Sequence, residues 1–503
     1  MTVQLQTIQS DIRTPLCQIE INNTGAVTGT PTPLNKVLVF GQMDTTGTAV
    51  SGTLYNVYSP SMAQGLFGRS SMLAAQLAAF KDVNTNADVW AIALDDDEAG
   101  AKATGGLSIT GTASANGTLS VMIGGVRIRQ GVITGDDADD ISASLVATIN
   151  TNLDVPVIAS VYVPPAPPEQ PQAEPDPVTP TVVFTARHAG EFGNDIDIRV
   201  NYYTGEQLPT GIACTPVVMT GGTANPDVSP VIAGMGDEWW NYVINPYNDQ
   251  ANLDILAEEL VKRWGPDKMI DGMAFMAYRG TLADTTTYGT GRNDFLFNCM
   301  GTGNAPTPPY LWSARMAAVC IASLVIDPAR PMQTLAVAGL LAPQASDRWP
   351  REDRETLLHD GISTYTVNGD VVQVERMITM YRTDSYGNPD VSYLNVNTPM
   401  TLSYIRYATR TRIEEKFPRC KLADDGTPTS AGQAIVTPSI IRDELIALAQ
   451  ELAEQGLIED VDAFSASLVV ERDASDKDRV NVYSSPNIVN QFRVYAQAIN
   501  FIL

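Results

Sequence analysis

Two histidines, five cysteines and two runs of carboxylates are the residues of this 503-residue chain whose types could do catalysis or hold a metal. His188 lies two residues before Gly190, in a loop or at a strand end, and His359 lies in LLHDG, a helix end near a turn. A histidine acting as general base needs a nucleophile within reach, and neither is accompanied by a Ser or Cys in an elbow such as GxSxG. Cys17, Cys214, Cys299, Cys320 and Cys420 are scattered and odd in number, with no CxxC pair. That pattern argues against a disulfide framework or a zinc site and fits synthesis in a reducing compartment. Asp95, Asp96, Asp97 and Glu98, and likewise Asp136, Asp137, Asp139 and Asp140, offer oxygens to a hard cation but lack the EF-hand spacing with its central glycine. Solvated loops and helix N-terminal charges account for them better. No Walker loop is present, and no GxGxxG follows the apolar run at 36–41. The expectation is a protein that is not an enzyme and holds no cofactor or metal.

Charge narrows the partners. The formal net charge of −25 argues against direct nucleic-acid binding, which needs clustered Lys and Arg. One segment runs the other way. Between 402 and 421, Arg406, Arg410, Arg412, Lys416, Arg419 and Lys421 face only Glu414 and Glu415. On a helix Arg406 and Arg410 share a face, with Lys416 further along. The segment is either a solvated face paired with the chain's own carboxylates or a docking surface for an acidic partner. The longest apolar stretch, 316–326, is too short to span a bilayer, so no membrane insertion is expected.

These groups must be held by a scaffold of several domains. KVLVFG at 36–41, a serine-capped helix at 70–80 and DVWAIAL at 88–94 read as a βαβ unit of a parallel sheet. The pattern resumes near 237 with the strand-like WWNYVINP and a helix at 251–264, and 269–278, a helix at 312–326 and 334–341 continue an α/β core. Between the halves, 107–132 reads as a hairpin around Gly124 and Gly125, 141–149 as a helix and 181–203 as strand-rich, with a Pro-rich acidic linker at 163–180. Helices are expected at 398–417 and at 438–456, the latter capped by Thr437 with Pro438 at its first position, before a hairpin of 467–472 with 479–483.

Both ends read as arms. At the front Cys17, Ile19 and Ile21 alternate with polar residues. At the back Phe492, Val494, Ala496 and Ala498 alternate with Arg493, Tyr495 and Gln497. That is the period of a half-buried strand, and 490–503 would reach roughly 45 Å at about 3.3 Å per residue. Such a strand must pair with a sheet of its own body or of a neighbouring copy, where main-chain bonds and side-chain pockets set its register. Residues 24–33 and 484–490 are suitable hinges.

The expected fold class is α/β and α+β multidomain: an α/β core domain, an inserted β-rich domain, and a C-terminal α+β polymerisation domain with strand-exchanging terminal arms. The expected boundaries are 1–33 for the N-terminal arm and linker, 34–98 and 226–383 for the core, 99–225 for the insert, 384–489 for the C-terminal domain and 490–503 for the arm.

Most of the chain resembles the tail sheath proteins of contractile bacteriophages, above all the Mu-like branch. The resemblance rests on VLVFGQ at 37–42, GNDIDIRVNYY at 193–203, PARPMQTLAVAGLLAP at 328–343 and LLHDGIST at 357–364. It continues through VERMITMYRTDSYGNPDVSYLNVNTPMTLSYIR at 374–406, KFPRCKLADDGT at 416–427 and LVVERDASDKDRVNV at 468–482. The resemblance implies a homopolymer of stacked hexameric rings wound around a tail tube, with baseplate and terminator partners. It implies contraction that drives the tube through the host envelope, and a place in the virion tail after assembly in the bacterial cytoplasm. It also implies an innermost C-terminal domain, on which Arg406, Arg410, Arg412 and Lys416 would face the tube, and a core that is subtilisin-like in name only. Alternatives are the sheath of a capsid-free injection machine such as an R-type pyocin, and an α/β hydrolase-like enzyme.

Overall fold

The computed structural model describes residues 33–163, 180–428 and 433–502. The front arm with Cys17, Ile19 and Ile21, nearly all of the Pro-rich linker, and Leu503 lie outside the described residues. The described chain divides into two compact units, 34–403 with 490–502, and 404–489.

In the first unit, β1 (Lys36–Gln42) is apolar on both faces and buried from Val37 onward, as a strand covered on two sides must be. After the short β2 (Leu54–Asn56) come α1 (Pro60–Phe67), α2 (Met72–Val83) and β3 (Asp88–Leu94). Ser59 and Ser71 cap the two helices through their hydroxyls. β3 lies parallel to β1 over its whole length.

The chain then leaves this sheet for β4 (Thr104–Gly111), β5 (Gly117–Ile123), β6 (Val126–Val132), α3 (Ala138–Thr151), β7 (Val157–Val161), β8 (Val182–Ala186), β9 (Ile198–Val200) and β10 (Ile212–Thr220). They form an antiparallel sheet in the order β10-β4-β8-β7 and a second in the order β6-β5-β9. Around Leu107, Leu119, Val121, Leu145 and Phe184 they bury a core of their own. The run at 107–132, expected as one hairpin, is three strands. Gly124 and Gly125, at φ 54° and 80°, close the β5–β6 turn as its two left-handed positions require, whereas β4 belongs to the other sheet.

On returning, the chain makes α4 (Ser229–Met235), β11 (Tyr242–Ile244), α5 (Gln250–Trp264), β12 (Met273–Tyr278), α6 (Leu282–Thr290), β13 (Phe297–Gly301) and α7 (Pro309–Ile326). The completed sheet runs β13-β12-β11-β1-β3-β2, parallel throughout except for β2. Residues of α1, α2 and α7 pack on one face with Val37, Val39 and Phe275. Residues of α4 and α5 pack on the other with Leu38, Phe40 and Met276.

One expectation is corrected here. α7 starts seven residues before the apolar run and is, by length and composition, long and apolar enough to cross a membrane. It is instead a core helix, with Trp312, Met316, Cys320 and Ile321 against the sheet. The segment at 334–341 packs in the α/β core through Val337 and Leu340 but adds no strand to the parallel sheet. Only β14 (Ala336–Val337) is a strand, because Thr334 at φ 60° and Gly339 at φ 77° interrupt the run on either side. After α8 (Arg351–His359), β15 (Thr364–Asn368) and β16 (Val371–Arg376) complete a separate sheet in the order β14-β16-β15.

α9 (Asn397–Lys416) continues into the second unit from Tyr404. There follow β17 (Lys421–Leu422), β18 (Ile435–Val436), α10 (Pro438–Glu454), β19 (Ile458–Glu459), α11 (Val461–Ser467), β20 (Val469–Arg472), β21 (Val480–Tyr483) and β22 (Asn487–Ile488). Thr437 caps α10, and Gly456 at φ 74° ends it while the Leu457 N–H reaches back to the Leu452 carbonyl. β19 pairs with β22, and the Val489 N–H adds a bond to the Leu457 carbonyl. The hinge expected at 484–490 is therefore pinned at 487–489 by a ladder.

Candidate functional site

The groups that could do chemistry are used structurally. His188 Nδ1 lies 3.0 Å from Asp96 Oδ1, and its Nε2 accepts the Met72 N–H at the start of α2. Gln42 donates to both Asp96 and the Ala189 carbonyl, so the pair joins β1, α2 and the segment after β8. His359 is exposed at the end of α8 and, among the described residues, pairs with Glu355. Burial pushes the Cys214 and Cys320 thiols up to about 12 and the Cys299 thiol higher, away from the thiolate that a nucleophile needs. Asp137 caps α3 in a reciprocal box with Asp140, and Asp97 accepts the Ala99 N–H within its own turn. Among the described residues no three His, Cys, Asp or Glu side chains are grouped to hold a metal.

The arm at 490–502 departs from the strand its alternation predicted. None of its residues joins a ladder among the described residues. Over 491–494 its sides are inverted relative to a strand docked on its own body, and from Val494 to Ile502 both sides are exposed, Tyr495 included. Phe492 and Val494 are 71% and 80% exposed, and Ile499, Phe501 and Ile502 are open as well. The polar Gln491 and Arg493 are the half-buried residues. Gln491 Nε2 donates to the Ala329 carbonyl at 3.3 Å, and Arg493 Nη1 to Gln333 Oε1 at 3.1 Å. Polar side-chain bonds hold the root of the arm, and its apolar side is left to solvent. Ala496 and Ala498 lie further along the same exposed segment.

The second unit carries an open counterpart. β20 and β21 form a two-stranded sheet, so both outer edges of the hairpin are unpaired among the described residues. Val469, Val482 and Tyr483 on it are exposed. Beside the hairpin, α9 and α10 leave an apolar cavity of about 200 Å³, bounded by Ile405, Ile413, Leu445, Leu448, Val480 and Val482. An unpaired edge next to an apolar hollow can accept an added strand and the side chains on one of its faces.

The four basic positions of α9 divide. Arg412 donates to Glu444 at 2.8 Å and also to Glu451, and Lys416 Nζ lies 2.7 Å from Glu444. Burial raises the Glu444 carboxyl, and bonds from Lys416 and Arg412 outweigh it, leaving the group below its usual range. These two cations are turned onto α10, whose carboxylates at 444 and 451 are two turns apart and face them. Arg410 is exposed, with Glu414 one turn on as its partner, and Arg406 lies one turn before it. Sequence reasoning found the period of the arm but missed which side faces the body, and missed the hollow between α9 and α10. Ile405, Thr409 and Ile413 at four-residue spacing were the available signal for the hollow.

The family model of the phage tail sheath protein central domain matches residues 221–380, and that of the phage tail sheath C-terminal domain matches 388–502. The chain is 50% identical over 504 residues to the Mu-like prophage FluMu tail sheath protein of Haemophilus influenzae, covering 100% of both chains. Among solved structures, it is similar to the crystal structure of a sheath tail protein from Desulfitobacterium hafniense. That match has 13% identity and a TM-score of 0.45, and covers 94% of this chain and 100% of that one. It is also similar to the helical sheath of the anti-feeding prophage in its contracted state, at 8% identity and a TM-score of 0.45, covering 97% and 98%.

Proposed function

Because the chain belongs to the phage tail sheath proteins, a structural family rather than a family of enzymes, we propose that its copies polymerise as stacked hexameric rings around a tail tube. The polymer contracts to drive the tube through the host envelope, working with baseplate and terminator proteins, as part of a virion tail built in the host cytoplasm. The observation that carries this reading is the arm, whose apolar side faces solvent while its root is held by polar bonds.

In this reading Phe492, Val494, Ala496 and Ala498 of one copy lie along the β20–β21 hairpin of another and fill the hollow beside it. The front segment with Cys17, Ile19 and Ile21 adds a second exchanged strand. Main-chain pairing then keeps copies linked while their bodies reorient. Residues 99–225 form an insert on the outer face of the core at 34–98 and 226–383, and 384–489 form the inner polymerising domain. Arg406 and Arg410 face the tube, while Arg412 and Lys416 fix α9 on α10 behind them. Contraction runs downhill, so the contracted form buries more surface per copy than the extended one, which matched structures of the two forms would check.

The test is removal of residues 490–503. The truncated chain is expected to fold and to stay monomeric by sedimentation, and negative-stain images should lack hollow striated cylinders. Cylinders of normal length from that truncation would overturn the reading. The second reading, the sheath of a capsid-free injection machine, shares every step, and neighbouring capsid and portal genes separate the two.

A further inference from the structure

At the root of the arm Arg493 lies near Arg376 of β16, and among the described residues neither guanidinium has a counter-charge. Arg493 gives Nη1 to Gln333 and Nη2 to Gln491, both neutral amides, and its Nε is enclosed without a partner. Arg376, the last residue of β16, gives Nη2 to Asn395 Oδ1 at 3.3 Å, and its Nε is likewise enclosed and unpartnered. Strand pairing brings them together. Thr334, next to Gln333, donates its N–H to the Val374 carbonyl at 2.7 Å, and the Val374 N–H returns a bond to Leu335. The segment that holds Arg493 therefore runs beside the last residues of β16. No carboxylate among the described residues stands within ion-pair distance of either group. Burial, and then the neighbouring Arg376, hold the Arg493 guanidinium down to about 10.

Two enclosed like charges with unused donors are unfavourable alone, and become favourable when an anion completes them. A carboxylate is the planar partner that a guanidinium fork fits with two bonds. Arg493 lies between Phe492 and Val494, the side chains that the exchange reading turns toward another copy. The chain itself offers 57 Asp and Glu against 32 Lys and Arg. We propose that Arg376 and Arg493 form a carboxylate-binding pair that is completed by an acidic side chain of a second copy of this chain. The inference rests on the exchange reading and adds its electrostatic half. The arm is held by neutral amides in the free subunit and locked by an anion in the polymer.

The experiment uses the purified full-length chain alone, as wild type and as Arg376→Gln, Arg493→Gln and Arg493→Lys. Critical concentration is followed by pelleting at two salt concentrations, and monomer melting is followed in parallel. Each Gln variant should raise the critical concentration at least tenfold and flatten its salt dependence, while monomer melting stays unchanged or rises because the like-charge contact is gone. Arg493→Lys, which keeps the charge but not the fork, should lie between. An unchanged critical concentration, or melting and assembly falling together as for a merely structural arginine, would overturn the proposal. The 490–503 truncation separates the two ideas. If it blocks assembly while both Gln variants polymerise normally, exchange stands and the anion pair falls.

Discussion

Replacing Phe492 and Val494 together by serine isolates the apolar half of the arm. In the free subunit the two side chains are already 71% and 80% exposed and lie on the side away from the Gln491 and Arg493 bonds. Their replacement should therefore leave folding within about 0.5 kcal/mol, as for other surface substitutions. In the proposed polymer the same side chains would lie in the hollow of another copy. Moving a side chain of this size fully from water into a packed interior is worth about 1.5–3 kcal/mol. Scaled by the fraction still open, the two together contribute roughly 3 kcal/mol to each captured arm. At tenfold per 1.4 kcal/mol, the critical concentration of polymerisation should rise about 100-fold. Pelleting across a concentration series reads that number, and calorimetry of the unassembled protein reads the folding term. A variant that polymerises at the wild-type concentration would refute the argument, because the exposed side would then be ordinary solvated surface. A variant that melts early would refute it differently, by showing that the arm packs on its own body.

Three further outcomes follow from particular contacts. Arg412→Ala takes the guanidinium away from Glu451 and should lower the unfolding free energy in urea by about 2 kcal/mol, below the roughly 3–5 kcal/mol of a fully buried pair because Glu451 is 32% exposed. Asp195 is raised by burial to about 6 against the opposing pull of Arg279. Its contribution to stability is thus present below about pH 4 and lost as pH rises toward 6, so Asp195→Asn should stabilise the protein at pH 7.5 by up to about 3 kcal/mol, with the gain vanishing below pH 4 in melts across that range. Arg410→Glu should leave the circular dichroism spectrum and melting nearly unchanged while weakening co-sedimentation with tail tubes, and normal tails from that variant would remove its tube-facing role.

Local pattern was enough wherever a residue's neighbours in sequence are also its determinants. Apolar-on-both-faces runs at 36–42 and 88–94 dictated parallel strands, and Ser71 and Thr437 dictated helix starts. Periodicity alone also placed the hairpin at 469–483 and the alternation of the last residues. Tertiary structure decided what no local window contains. Period two says that an arm has two faces, but which face meets the body depends on Ala329 and Gln333, 160 or more positions earlier in the chain. The charge of the 402–421 segment is legible by counting, whereas its division between α10 and solvent depends on where Glu444 and Glu451 land. The pairing of Arg376 with Arg493 is likewise a product of strand registry. Like charges so far apart in sequence give no signal until a fold brings them side by side.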